Sequence, residues 1–141
     1  MKWAARRLED IPLVPNAKDD DPVWRPLQHF FGLSAFGANV FVAAPGDETL
    51  VEAHDERESG QEELYLVLDG EADFELDGEP LVAGRSTVVV VTDPAVTRRA
   101  VARSAGTALL AVGARPGCFE TTWRPEHFEA VPHLGESRFA R

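Results

Sequence analysis

The sequence predicts an all-β fold: a barrel or sandwich of short strands built around one core. Three observations carry that expectation. Short β-prone runs separated by turn residues follow one another from Leu27 to Gly113. Glu71–Leu76 alternates cleanly, with Ala72, Phe74 and Leu76 on one face and Glu71, Asp73 and Glu75 on the other, and it runs into Asp77-Gly78. That dipeptide is a strong two-residue hairpin signal, because a type I′ turn needs positive φ twice. Almost nothing helical appears before residue 120.

Taken in order, residues 1–26 read as an N-terminal arm. Pro12, Pro15, Pro22 and Pro26 interrupt regular structure there, alongside the acidic run Asp19–Asp21. Leu13, Val14, Val23 and Trp24 could pin the arm to a surface, either of the same chain or of a second subunit. Residues 27–114 read as the barrel. Its strands are expected at Ala35–Ala43, Glu48–His54, Glu62–Leu68, Glu71–Leu76, Pro80–Val82, Ser86–Thr92, Thr97–Ala102 and Thr107–Val112. The turns between them are marked by Pro45-Gly46, Asp69-Gly70, Asp77-Gly78, Ala83-Gly84 and Asp93-Pro94. The four consecutive valines of Ser86–Thr92 suit a strand buried on both faces or the tight interior of a barrel. Residues 115–141 read as a tail packed on the barrel, with a short helix over Pro125–Val131.

The chain has 141 residues and is 44% hydrophobic, enough for one buried core. Its formal net charge is −10, with 24 acidic against 14 basic residues. Phosphate neutralisation needs clustered Lys and Arg, so nucleic acid and anionic membrane are poor partners for it. The lone Cys118 excludes an internal disulfide and fits a reducing compartment. Met1–Asp10 is charged and lacks the apolar stretch of a signal peptide, and no apolar run approaches a membrane span. A cytoplasmic protein is expected.

One segment carries a more specific signal. Gly46–Gly70 reads GDETLVEAHDERESGQEELYLVLDG, with Glu63 and Gly70 separated by the six residues Leu64–Asp69. It resembles the first sequence motif of the cupin superfamily, in which a glycine is followed by two histidines, a glutamate and, after six residues, a second glycine. The hairpin EADFELDGEPLVAG that follows resembles the usual cupin continuation. Gly84 and Pro94 fit the frame of the second cupin motif, but Val96 replaces its glycine and Arg99 falls where its histidine would be. The resemblance spans roughly Phe36–Ala114 and implies a double-stranded β-helix, the cupin or jelly-roll barrel.

It also implies a place for a metal. Metal-binding cupins hold a divalent ion with the histidines and glutamate of motif one and the histidine of motif two. Here His54 and Glu63 stand in the first motif, while the second histidine falls near Glu56 or Glu58, or passes its role to Gln61. Arg99 cannot ligate, because its guanidinium stays protonated. The expectation is therefore no full metal centre, with His54, Glu56 and Glu63 as candidate ligands of a weakly bound divalent ion. Arg99 would then take the metal's place and pair with Glu63 or with an anionic ligand.

Alternation extends the candidate site. If Glu63 points inward, so do Tyr65 and Val67, whereas Leu64, Leu66 and Leu68 face outward and favour a homodimer. A pocket of His54, Glu63, Tyr65 and Arg99 would be polar at its centre and apolar around it, as small-ligand sites are. Each residue also has a plainer reading. His54 could simply end a strand. Glu62 could be the inward carboxylate, since a one-residue slip swaps faces. Tyr65 could be core, and Arg99 could be a surface charge next to Arg98. His29 reads as structural, His127 and His133 as solvent-facing tail residues, and Cys118 as unreactive. Trp24 and Trp123 could cap the barrel mouth or pack in the arm and tail. Asp55–Glu58 is most simply a solvated connection whose glutamates would discourage anionic ligands.

Three functional classes remain, one of them a structural subunit whose sheet mainly makes a dimer interface. Another is a small-molecule-binding protein acting as sensor, carrier or accessory domain. The last is an enzyme, either a metal-dependent dioxygenase or a metal-free isomerase or lyase on a small polar substrate. In the metal-free case His54 or Glu63 would be the general base, Tyr65 the acid and Arg99 the electrostatic stabiliser.

Overall fold

The computed structural model describes residues 2–15, 18, 21–132 and 134. Asp19 and Asp20 of the acidic run, and His133, lie outside the described residues.

The described chain forms two antiparallel sheets packed face to face. The strands are β1 (Trp24–Arg25), β2 (Gly37–Val42), β3 (Thr49–His54), β4 (Glu62–Asp69), β5 (Glu71–Leu76), β6 (Glu79–Gly84), β7 (Val88–Val91), β8 (Arg98–Ala102) and β9 (Ala108–Ala114). One sheet runs β1-β2-β9-β4-β7 and the other β3-β8-β5-β6. From β2 onward sequence neighbours alternate between the sheets, as in a jelly roll, except that the hairpin of β5 and β6 stays within one sheet. Its turn has φ of 50° at Asp77 and 81° at Gly78, the double positive φ that this dipeptide signals.

The core fills the space between the two inner faces. Val67 and Leu109 from one sheet meet Leu50, Ala72, Phe74 and Ala100 from the other. In β5 the expected alternation holds: Ala72 and Phe74 are buried, while Asp73 and Glu75 are exposed. In β4, Tyr65 and Val67 are buried and Leu64 is exposed, so Glu63 shares the inner face and Glu62 the outer.

Three expectations need correction. The valine run is not buried on both faces. β7 is an edge strand, and Val88 and Val90 are 53% and 55% exposed, while Val89 and Val91 face the core. Within the arm regular structure stays short: β1 pairs with β2, Val14 bridges Trp24, and Ile11 is buried. A one-turn α-helix, α1 (Leu27–Phe31), follows, closed by Gly32 at φ 68°; His29 lies on it, exposed. Its five residues are too few to show a helical period. The tail helix is a single 3-10 turn, Pro125–Phe128. Trp123 meets Phe119 and Phe128 edge to face there, and all three residues are exposed.

Candidate functional site

The site is built on β3 and β4, which face each other across the barrel. Register places His54 opposite Arg98 of β8. It places Glu63 between Val91 of β7 and Gly113 of β9. β3 carries two register shifts, so Leu50 and Val51 are both buried and strict alternation breaks before His54. The irregularity turns the end of β3 and the following loop toward the lumen. Glu56, in the loop expected to be solvated, dips inward, its side chain 18% exposed.

His54 is fixed from behind. Its Nδ1 lies 2.7 Å from the Glu52 carbonyl, which can only accept, so Nδ1 carries the proton. Nε2 then faces Glu56 Oε1 at 3.1 Å. This is the arrangement by which a backbone carbonyl orients a metal-ligating imidazole. Ser59 donates to the other Glu56 oxygen, and Tyr65 donates its hydroxyl to Glu63 Oε2. One ligand atom from each of His54, Glu56 and Glu63 lies within 4.8 Å of the others.

The two carboxyls are driven apart in acidity. Burial, and then the neighbouring Glu56 charge, raises Glu63 above its ordinary value, against the Tyr65 hydrogen bond and Arg98. Burial would also raise Glu56, but hydrogen bonds from Ser59 and Glu63, with His54, outweigh it and lower the carboxyl. The pair can therefore share one proton, held mainly on Glu63. Burial, and then the Glu63 charge, pushes Tyr65 well above its ordinary value, so it remains a phenol donor.

The largest correction concerns the arginine. Arg98, not Arg99, enters the barrel: its side chain is 0% exposed, and Nε lies 3.6 Å from Glu63 Oε2. Arg99 lies on the outer face and lines a shallow hollow with Thr49 and Glu52. The cause is a one-residue slip of face in β8. Ala100, opposite both Phe74 and Val51, is the inner residue, because its small side chain leaves room for those larger ones. Arg98 shares that face. Among the described residues its guanidinium nitrogens have no hydrogen-bond partner.

A cavity of about 240 Å³ opens beside this cluster. His54, Glu56, Glu63 and Tyr65 line it together with Asn39 and Gln61. Phe41, Val51 and Ala111 supply apolar wall. Asn39, Phe41 and Gly113 are site residues that sequence reasoning misses. Gly113 carries a readable signal only in hindsight: a Cβ there would meet Gln61 Oε1 at 2.7 Å and Glu63 Cγ at 3.4 Å, so glycine keeps the lumen open. Trp24 lines an adjoining cleft, whereas Trp123 lies in the tail cluster.

The donor set fits a divalent cation only in part. One imidazole and two carboxylates can ligate, but the fourth corner, opposite His54, is a buried arginine that repels a cation.

No protein-family model matches the chain, and comparison with curated proteins finds no match. Solved structures do match. A sugar phosphate isomerase from a cupin superfamily, from Silicibacter pomeroyi, aligns at TM-score 0.63 and 21% identity over 79% of this chain and 76% of its own. A Cupin 2 conserved barrel domain protein from Salinispora arenicola aligns at TM-score 0.61 and 17% identity over 84% and 93%. A candidate sugar phosphate isomerase from Acidithiobacillus ferrooxidans aligns at TM-score 0.56 and 19% identity over 69% of this chain, which spans only 61% of that protein. At these identities the likeness is one of fold: the chain has the cupin fold.

Proposed function

We propose that this cupin-fold chain binds a small polar molecule in its lumen and does so without a full metal centre. The carrying observation is the cavity itself, apolar on one wall and furnished on the other with His54, Glu56, Gln61, Glu63 and Tyr65. A few convergent polar groups in an apolar concavity are the usual make-up of small-ligand sites. Arg98 takes the place expected of Arg99. It sits under Glu63 as a fixed positive charge where a metal-binding cupin would carry a further ligand.

A second reading has its own support. The oriented Nε2 of His54, together with Glu56 and Glu63, would hold a divalent cation weakly. A third, enzymatic, reading draws on the split acidities. Glu63, holding its proton, would act as acid and Glu56 as base on a bound substrate, with Tyr65 donating to a developing negative charge. An isomerase-type proton transfer suits such a pair, and sugar phosphate isomerases are among the proteins sharing the fold.

Gly113→Ala tests the binding reading. The added methyl intrudes beside Glu63 and displaces only the end of the Gln61 side chain, so the fold should accept it. Small polar compounds that raise the melting temperature of the wild-type protein are expected to lose that effect in Gly113→Ala. Equal stabilisation of both proteins would place binding outside the lumen and overturn the reading. Metal analysis of protein purified without added ions is expected to show less than one ion per chain. A stoichiometric, tightly held ion would move the site to the second reading.

A further inference from the structure

The lumen cavity does not end at the cluster. A second cleft, about 370 Å³, continues from it toward the arm, and the two share Pro22, Asn39, Phe41 and Glu52. The arm builds the far wall: Trp24 of β1 pairs with Phe41 of β2, and their ring centroids lie 6.2 Å apart at 34°. Both rings line the second cleft, together with the carboxylates of Asp21 and Glu52. Among the described residues neither carboxylate is in an ion pair.

The basic residues nearby are turned elsewhere. Among the described residues no Lys or Arg lines either cavity. Arg98 is buried beneath Glu63, Arg25 donates to the Ile11 carbonyl, and Arg99 lies on the outer face of β8. The continuous cleft therefore offers carboxylates and aromatic rings and, among the described residues, no cation to meet a phosphate or a carboxylate. Aromatic rings beside carboxylates suit an ammonium group, which the ring quadrupole and the negative charge both attract.

We infer that the ligand is a small organic cation, whose ammonium group lies against Trp24 and Phe41 beside Glu52 while its other end reaches the His54, Glu56 and Glu63 cluster. The inference rests on the reading of the lumen as a ligand pocket and adds the ligand's chemical class. It runs against the anionic substrates of the sugar phosphate isomerases that share the fold. It also assigns the arm a task, since without β1 the cleft loses its tryptophan wall.

Calorimetric titration in buffer free of divalent ions tests it, with putrescine and choline as cationic probes, uridine and glucose as neutral ones, and glucose 6-phosphate as the anionic one. A cationic probe is expected to bind and the anionic probe not. Glu52→Gln, at an exposed position that leaves the fold intact, is expected to weaken cation binding about tenfold, and Trp24→Ala by at least as much. Trp24→Phe, which keeps a ring on the arm, is expected to restore most of the affinity. Cation binding unchanged by both Glu52→Gln and Trp24→Ala overturns the inference. Binding of a neutral or anionic probe in preference overturns the cationic class while leaving the lumen reading in place. Absence of binding by every probe at millimolar concentration counts against both.

Discussion

Arg98 holds its charge in a dry place. Nothing of its side chain is exposed, its guanidinium makes no hydrogen bond among the described residues, and its counter-charge among them is the single negative charge that Glu63, 3.6 Å away, shares with Glu56. Such a pair gains little net stability, but breaking it strands one charge in the interior, at a cost of roughly 3–5 kcal/mol. Arg98→Ala should therefore lower the melting temperature on the order of ten degrees. Arg99→Ala, one residue along on the outer face, should change stability by no more than about 0.5 kcal/mol. Equal melting temperatures for the two variants would remove the pairing. The choice between these arginines was not legible in the sequence, because Thr97–Ala102 alternates plausibly in either phase and Val101 favours the wrong one. Phase was set by packing against Phe74 and Val51, which only the register reveals. Glu63 was legible, since Tyr65 and Val67 share its face along an otherwise regular strand. Its acidity gives a second expectation. A carboxyl whose pKa is higher in the folded chain contributes fully to stability below its ordinary value of 4.5, and that contribution is lost as pH rises through the folded value. Glu56→Gln removes a charge that raises Glu63 but leaves the larger effect of burial. Denaturation measured from the ordinary carboxylate range upward in pH should show a shallower fall of stability with rising pH in Glu56→Gln than in the wild type. Glu56 itself is lowered, and its own contribution is lost in the opposite direction, as pH falls. An unchanged or steeper fall in the variant would separate the two carboxyls.

At the scale of elements, the turn after β4 shows why the spacing from Glu63 to Gly70 is informative. Gly70 has φ 74°, and a Cβ there would lie 2.8 Å from Thr107 Cα. Thr107 is fully buried; its hydroxyl donates to the Ser104 carbonyl at 2.7 Å and accepts from the Glu71 amide at 3.2 Å. The glycine is thus required twice, once by its backbone and once by the close approach of a strand start that clasps the next one. Gly70→Ala should cost more than about 2 kcal/mol in urea unfolding, the sum of left-handed strain and overpacking. A loss under about 0.5 kcal/mol, the range of an ordinary surface change, would mean that the turn relaxes. Elements of this kind were legible because hairpin chemistry is local: Asp77-Gly78 and Asp69-Gly70 mark β5 at both ends. The bulged end of β3 was not. Its two register shifts are answered by β8, some forty-five residues away in the chain. The inward turn of Glu56 follows from them, and so a loop that reads as solvated supplies a ligand-bearing carboxylate.

At the scale of the whole molecule, the outer face of the five-stranded sheet is the feature left open. Val90, Leu64 and Val112 lie side by side across β7, β4 and β9, and Val88, Leu66 and Leu110 form the next row. Toward β2 the rows end in Ala38 and Val40, both buried; toward β7 they end in exposed valines, with Leu64 itself 38% exposed. A contiguous apolar face of this kind, on a chain of net charge −10, is an unusual surface for an isolated monomer. The valine run explains itself in these terms: its buried half serves the core, and its exposed half extends the outer face at an unpaired edge. A second copy of the chain, packed sheet against sheet, would cover it without filling the lumen, whose lining on β4 and β9 comes from the opposite side apart from Val112. Sedimentation at micromolar concentration should then show a dimer, and Leu64→Lys with Val90→Glu should shift it toward monomer while leaving the far-ultraviolet spectrum unchanged. Ligand binding in the lumen should survive in that monomer, because the one residue named on both faces, Val112, is left in place by the two substitutions. A wild-type chain that sediments as a monomer would assign the valine face to something other than self-association.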